Sequence, residues 1–115
     1  MKQLETARGY RFQFIQYSDG HIIVYPPRNK ERQQEHAVAI TPFTVELVKD
    51  AIRLHRRLPM GASRDKPAKR SIGELLLKQH GQTPQQLSYL VPILKSDGYC
   101  DTEKRGRAFY VRCKE

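Results

Sequence analysis

The fold of this chain is predicted best from one central stretch, residues 71–90, which reads SIGELLLKQHGQTPQQLSYL. Ser71 and Glu74 have the spacing of a capping box, and the leucines that follow suit a helix that stops at His80-Gly81. Thr83-Pro84 then repeats the signature of a helix start, a capping residue followed by a proline at the first helical position. The stretch therefore predicts two helices joined by a tight turn that contains glycine.

A longer helix is predicted before this pair. Thr41-Pro42 again forms a cap and a first-turn proline, and we expect the helix to end at Pro59. Apolar residues recur at three- and four-residue spacing, which marks the buried face of a helix. His55 falls on this stripe and is interpreted as a core or boundary histidine. The members of the stripe are Leu47, Val48, Ala51, Ile52, Leu54, His55 and Leu58.

The third helix and a C-terminal hairpin are predicted after the glycine turn. The helix would bury Leu87, Leu90, Val91 and Leu94, but Pro92 removes one hydrogen bond at a cost of about 3 kcal/mol. We therefore expect the helix either to end near Val91 or to be kinked. Short strands are predicted at residues 99–101 and 108–113, on either side of a charged turn at 102–107.

Residues 1–38 are predicted to form an N-terminal β-hairpin and a polar linker. Two runs rich in aromatic and β-branched residues, 10–17 and 21–25, flank Asp19-Gly20, which favours a two-residue turn. The linker segment 28–36 is wholly polar, and a loop and a short helical turn remain equally open for it.

That turn sets a register with consequences for self-association. It places Ile15 opposite Val24 on one face and Phe14 opposite Tyr25 on the other, so only one apolar face can pack on the chain's own core. A lone two-stranded ribbon is also marginal and has open edges. We therefore expect the hairpin to mediate a homodimer.

Charge is the strongest feature of the composition. Lys and Arg total 21 against 12 for Asp and Glu, which gives a net charge of +9. Residues 1–40 contain six basic and four acidic side chains, so most of the positive charge lies in the rest of the chain. A basic domain of this kind is typical of polyanion binders, although a generically basic protein is the plainer alternative. No segment reaches the roughly 18 apolar residues of a membrane span, and no membrane partner is expected. The predicted location is intracellular and cytoplasmic, with association to the nucleoid if the source is bacterial.

The order of elements over residues 39–114 resembles the winged helix-turn-helix superfamily. The segments that carry the resemblance are SIGELL (71–76) as the first helix of the motif, HGQ (80–82) as the turn, TPQQLSYL (83–90) as the recognition helix and ILKSDGY (93–99) as the lead into the wing. The resemblance implies an α+β fold with three helices and a C-terminal β-hairpin wing over residues 39–115, to which the N-terminal hairpin is an extension. It also implies that the recognition helix enters the major groove of DNA.

Three groups of side chains are the predicted nucleic-acid contacts. Polar residues on the outer side of the recognition helix can read base edges, as a glutamine does with adenine, and basic residues of the wing tip and of the loop before the second helix can bind phosphates. Each group also has a plain alternative: a polar helix face that binds protein, a charged hairpin turn, and a solvated loop. The residues are Gln85, Gln86 (at the margin), Ser88 and Tyr89; Lys104, Arg105 and Arg107; and Lys66, Lys69 and Arg70.

The predicted function is sequence-preferring binding of double-stranded DNA by a small transcriptional regulator or DNA-associated accessory factor, with RNA as a second candidate partner. The alternative is a winged-helix protein-interaction or RNA-binding module within a larger nucleic-acid machine. No enzyme activity, metal, cofactor or small-molecule ligand is predicted, because the four histidines lack ligand spacing and no P-loop or nucleophile motif occurs. Cys100 and Cys113 are interpreted as reduced cysteines packed as small hydrophobic residues, with Cys100 opposite Phe109.

Overall fold

A computed structural model describes residues 2–26, 37–63 and 66–114, which form an α+β fold of three helices and two antiparallel sheets. The polar segment 28–36 lies outside the described residues. The N-terminal sheet contains β1 (Lys2–Glu5), β2 (Arg11–Gln16), β3 (Ile22–Tyr25) and β4 (Val38–Ile40). The remaining elements are α1 (Pro42–His55), β5 (Arg57–Pro59), α2 (Ile72–His80), a single 3-10 turn (Pro84–Gln86), α3 (Leu87–Ser96), β6 (Cys100–Arg105) and β7 (Ala108–Cys113).

The register of the N-terminal hairpin differs from the prediction by one residue. Phe14 lies opposite Val24, and Ile15 lies opposite Ile23. The turn has three residues and not two: the Tyr17 N–H donates to the His21 carbonyl (2.9 Å), and Gly20, with a φ of 97°, donates its N–H to the Tyr17 carbonyl (3.0 Å). A positive φ at the third position is typical of three-residue hairpin loops.

This one-residue shift places the large apolar side chains of the hairpin together. Phe12, Phe14, Ile22 and Val24 share one face and are all buried. The ribbon is also not alone, because β1 and β4 pair on its two sides in a sheet of order β1-β2-β3-β4. The argument from a lone ribbon is therefore wrong, but Ile15 and Ile23 still place apolar side chains on the opposite face of the hairpin. Self-association remains an untested prediction.

The first helix begins as predicted and ends four residues early. The Thr41 side chain accepts a hydrogen bond from the Thr44 N–H (3.2 Å), which confirms the cap. The helix ends at His55 because Arg56 adopts a φ of 64° and the following residues leave the helix to form β5. The predicted stripe is therefore wrong at two members, since Leu54 is 77% exposed and His55 is exposed, while its last member, Leu58, is buried on β5.

The capping signals of α2 are confirmed at both of its ends, whereas the signal at Thr83-Pro84 begins the 3-10 turn and α3 begins at Leu87 without a side-chain cap. Glu74 N–H donates to the Ser71 hydroxyl (3.0 Å), and Gly81 ends α2 with a φ of 63°. The α3 helix runs through Pro92 and does not end at Val91. Burial of the flanking apolar side chains, each worth about 1.5–3 kcal/mol, outweighs the hydrogen bond that the proline removes. These side chains are Leu90, Val91, Ile93 and Leu94.

The C-terminal sheet has the order β5-β7-β6. Its hairpin closes at Arg105 and Ala108 over the two-residue turn Gly106-Arg107, and Cys100 therefore lies opposite Cys113. The predicted six-residue turn and the pairing of Cys100 with Phe109 are both wrong. The charged residues 103–105 belong to a strand because β6 is an edge strand, where charged side chains are tolerated.

Buried residues of both sheets and all three helices form one continuous core, at whose margin two glycines meet. The Gly73 N–H donates to the carbonyl of Met60 (3.0 Å). A Cβ atom added at Gly73 would overlap the carbonyl oxygen of Gly61 and would lie 3.1 Å from the Cβ of Pro84. This close approach holds the start of α2 against both the chain that leaves β5 and the 3-10 turn.

Substitution Gly73→Ala is expected to destabilise the protein by about 1–3 kcal/mol, because the added methyl group must displace backbone atoms. Intrinsic helix propensity alone gives the opposite sign, since alanine is favoured over glycine in a helix by about 1 kcal/mol. Urea denaturation of the variant measures the sign. The control is Gln79→Ala at an exposed position of the same helix. A Gly73→Ala variant at least as stable as the parent would show that the two segments do not touch.

Candidate nucleic-acid interface

A row of polar side chains follows the outer side of the 3-10 turn and α3. Gln85 is exposed and Ser88 is half-buried, and helical spacing continues the row to Pro92 and Lys95. Lys95 Nζ donates to the hydroxyl of Thr102 on β6 (3.1 Å), which ties the far end of the row to the C-terminal hairpin. The sequence analysis did not include Lys95, although its spacing from Ser88 already placed it on the same face.

Two of the four predicted reading residues are turned toward the protein. Gln86 is only 4% exposed, and its Nε2 donates to the Thr83 carbonyl (3.0 Å), so the prediction that it lies at the outer margin is wrong. Tyr89 is half-buried with its ring edge against Phe12 of β2, at 5.2 Å between centroids. Burial also raises the pKa of the Tyr89 hydroxyl. Tyr89 is turned inward because the N-terminal sheet offers it Phe12 as an apolar partner, whereas Gln86 is turned inward within the 3-10 turn itself.

The basic loop before α2 ends beside the start of the polar row. Lys66, Lys69 and Arg70 are all exposed. Arg70 has a φ of 60°, and its N–H donates to the Glu74 carboxylate (3.3 Å). Because Gly73 packs against Pro84, the end of this loop and Gln85 belong to the same corner of the molecule. The sequence also placed Arg64 and Asp65 in this loop, and both lie outside the described residues.

The tip of the C-terminal hairpin consists of Lys104, Arg105, Gly106 and Arg107, all exposed. Lys104 Nζ lies over the Phe109 ring, 5.8 Å from its centroid. Arg105 Nε lies 3.8 Å from the Glu103 carboxylate, which also accepts a hydrogen bond from Arg57 (2.6 Å). Part of the tip's charge is therefore neutralised at its base.

Ion pairing divides the basic residues into two classes. In one class a carboxylate lies within 4 Å, as for Arg53 with Asp50 and Lys78 with Glu74. The Asp101 carboxylate lies within 4 Å of both Lys95 and Arg112. The second class consists of basic residues that form no ion pair with any carboxylate among residues 2–26, 37–63 and 66–114. That class contains five of the predicted phosphate contacts, Lys66, Lys69, Arg70, Lys104 and Arg107.

Other kinds of site find little support in the part of the chain that the structure describes. No group of three or more His, Cys, Asp or Glu side chains there could hold a metal ion. None of the helices formed by those residues is long and apolar enough to cross a membrane. No protein-family model matches the chain, and no curated protein or solved structure is significantly similar to it.

The adjacent glutamines 85 and 86 allow a direct test of this geometry. Replacing Gln86 with alanine is expected to lower the free energy of unfolding by about 1–3 kcal/mol, since a buried side chain and its hydrogen bond are lost. Replacing exposed Gln85 with alanine should change it by no more than about 0.5 kcal/mol. Denaturant titrations measure the free energy of unfolding of the two variants, in which the same glutamine-to-alanine change is made at adjacent positions. Equal stabilities would mean that Gln86 is as exposed as its neighbour.

Proposed function

We propose that this chain is a winged-helix protein that binds double-stranded DNA with a sequence preference, as a small transcriptional regulator or DNA-associated accessory factor. The order of elements supports the proposal. A long helix, two shorter helices joined by a glycine turn, and a hairpin with a basic tip follow one another from Pro42 to Cys113. This is the order that the resemblance to winged helix-turn-helix proteins implies.

The observation that carries the proposal is the placement of basic side chains that lack a carboxylate partner among the described residues. Five of them form two groups, one in the loop before α2 and one at the hairpin tip, while Lys2, Arg8, Lys49 and Lys114 lie elsewhere. The loop leads directly into α2, whose Gly73 contacts Pro84 at the start of the polar row, and the hairpin is tied to the far end of the row by Lys95. Two cationic arms on either side of a polar row suit a duplex, whose phosphates flank the edges of the bases.

Each group would have a separate role in binding. Lys66, Lys69, Arg70, Lys104 and Arg107 would neutralise phosphates, which supplies affinity that depends on salt and not on sequence. Gln85 would provide the sequence preference by a two-point hydrogen bond to adenine, and Ser88 would contact phosphate or a base edge. Because Gln86 and Tyr89 are turned inward, the reading surface is small, and sequence discrimination should be modest.

The alternative, a winged-helix protein-interaction or RNA-binding module within a larger nucleic-acid machine, is favoured by a different observation. Two large apolar side chains are exposed on α1, Phe43 at 60% and Leu54 at 77%. Exposed apolar residues are a common feature of surfaces that bind other proteins. Absence of duplex binding at low salt would make this alternative the better proposal.

Fluorescence-anisotropy titrations at several salt concentrations test the phosphate contacts. The double variant Lys104→Ala, Arg107→Ala should bind every duplex more weakly and should flatten the slope of log K against log salt by about two units. Its matched control is Arg53→Ala, Lys78→Ala, which removes the same charge from residues that have carboxylate partners. Equal effects of the two variants would mean that net charge, and not the hairpin tip, determines binding.

Sequence preference is tested at Gln85. In a competition between preferred and random duplexes, Gln85→Ala should lose about 1–3 kcal/mol of discrimination and keep the salt slope of the parent. Gln79→Ala, an exposed glutamine on α2, is the control and should keep both. A Gln85→Ala variant with full discrimination would remove this residue from the reading role while leaving the phosphate contacts in place.

A further inference from the structure

The two cysteines of the chain lie directly opposite each other at the base of the C-terminal hairpin. Cys100 on β6 is paired with Cys113 on β7. The Cys113 N–H donates to the carbonyl of Arg56 (2.7 Å), on the side of β7 that faces β5. In an antiparallel ladder the N–H and the carbonyl of one residue point to the same side, so Cys113 makes no ladder bond to Cys100. The two cysteines are therefore a non-hydrogen-bonded pair.

A pair of this kind has the spacing that a disulfide needs. Its Cα atoms are about 4.5 Å apart, and its side chains are closer than those of a hydrogen-bonded pair. A disulfide spans Cα distances of about 4.4–6.8 Å and Cβ distances of about 3.5–4.5 Å. Both thiols are free in the structure, and both side chains lie on the face of the hairpin that packs on the core.

We propose that Cys100 and Cys113 form a site of reversible oxidation, at which an intramolecular disulfide joins β6 to β7 at the end of the hairpin opposite its tip. The proposal does not depend on nucleic-acid binding, because it rests only on the register of the two strands.

The two thiols differ in access, and this fixes the order of the reaction. Cys113 is half-buried, and Arg56 Nη1 donates a hydrogen bond to its sulfur (3.8 Å). Cys100 is completely buried, and this burial raises the pKa of its thiol to about 11. An oxidant in solution therefore meets Cys113 first.

With a low-molecular-weight disulfide as oxidant, the reaction has two exchange steps. The Cys113 thiolate attacks one sulfur of the reagent, which forms a mixed disulfide on Cys113 and releases one small thiol. The Cys100 thiolate then attacks the Cys113 sulfur, forms the protein disulfide and releases the second small thiol. In total, two cysteine thiols are oxidised and one small disulfide is reduced to two thiols. Because the second step needs the Cys100 thiolate, its rate should increase as the pH rises toward the pKa of that thiol.

The test treats the folded full-length chain with oxidised glutathione, stops the exchange with acid and measures intact masses. The parent is expected to become a monomer lighter by about 2 Da, the mass of the two hydrogens lost. Cys100→Ala should stop at a stable glutathione adduct on Cys113, and Cys113→Ser should remain unmodified because Cys100 is buried. A parent that stops at the adduct, or that forms only disulfide-linked dimers, overturns the proposal. So does a Cys113→Ser variant that reacts as fast as Cys100→Ala.

A measurement on the parent alone covers the case in which a variant fails to fold. The oxidised chain should melt above the reduced chain by roughly 5–15 °C, because the disulfide restricts the unfolded state, and dithiothreitol should reverse the difference. Equal melting temperatures of the two forms, or a lower one after oxidation, would overturn the assignment of this pair as a disulfide site that fits the native register.

Discussion

The pairing of β5 with β7 is the interaction on which the rest of the C-terminal region depends. Three residues that follow the left-handed turn at Arg56 join the end of α1 to the last strand, with Leu58 buried opposite Val111. Hydrogen bonds on both sides extend the ladder, from Cys113 to Arg56 and from Met60 to Phe109. The same segment continues into Gly61, against which the start of α2 packs, and Gly73 of α2 in turn contacts the 3-10 turn. One short strand thus positions the hairpin, the basic loop and the start of the polar row relative to one another.

Features fixed by neighbouring residues could be predicted from the sequence. The caps at Thr41 and Ser71 and the glycine end of α2 each depend on residues a few positions apart, and the structure contains all three. Strand registers could not be predicted in the same way. A three-residue turn in place of a two-residue turn shifted one strand of the N-terminal hairpin against the other and so changed which side chains share a face. Nothing in residues 57–59 alone indicates that they pair with a strand so distant in the sequence.

In the candidate site, too, features that depend on neighbouring residues could be predicted from the sequence, and features that depend on the folded structure could not. Exposure of Lys66, Lys69 and Lys104 was readable from charge and the absence of apolar periodicity. The burial of Gln86 was not, because it depends on the geometry of a 3-10 turn and on the packing around it. The partial neutralisation of Arg105 by Glu103 was not readable either, because it requires that both residues occupy one face of a strand that was predicted as a turn.

The order of strands in the C-terminal sheet also constrains how the chain folds during synthesis. The central strand of that sheet, β7, is the last of the three to emerge from a ribosome, and neither β5 nor β6 has its sheet partner before then. Leu58 must therefore remain without its partner Val111 while all the intervening residues are added, and contacts this distant in sequence form slowly. The N-terminal sheet, whose neighbouring strands are consecutive, has no such delay. Folding of this chain should accordingly proceed from the N-terminal sheet and the helices toward a C-terminal sheet that closes in a single late step.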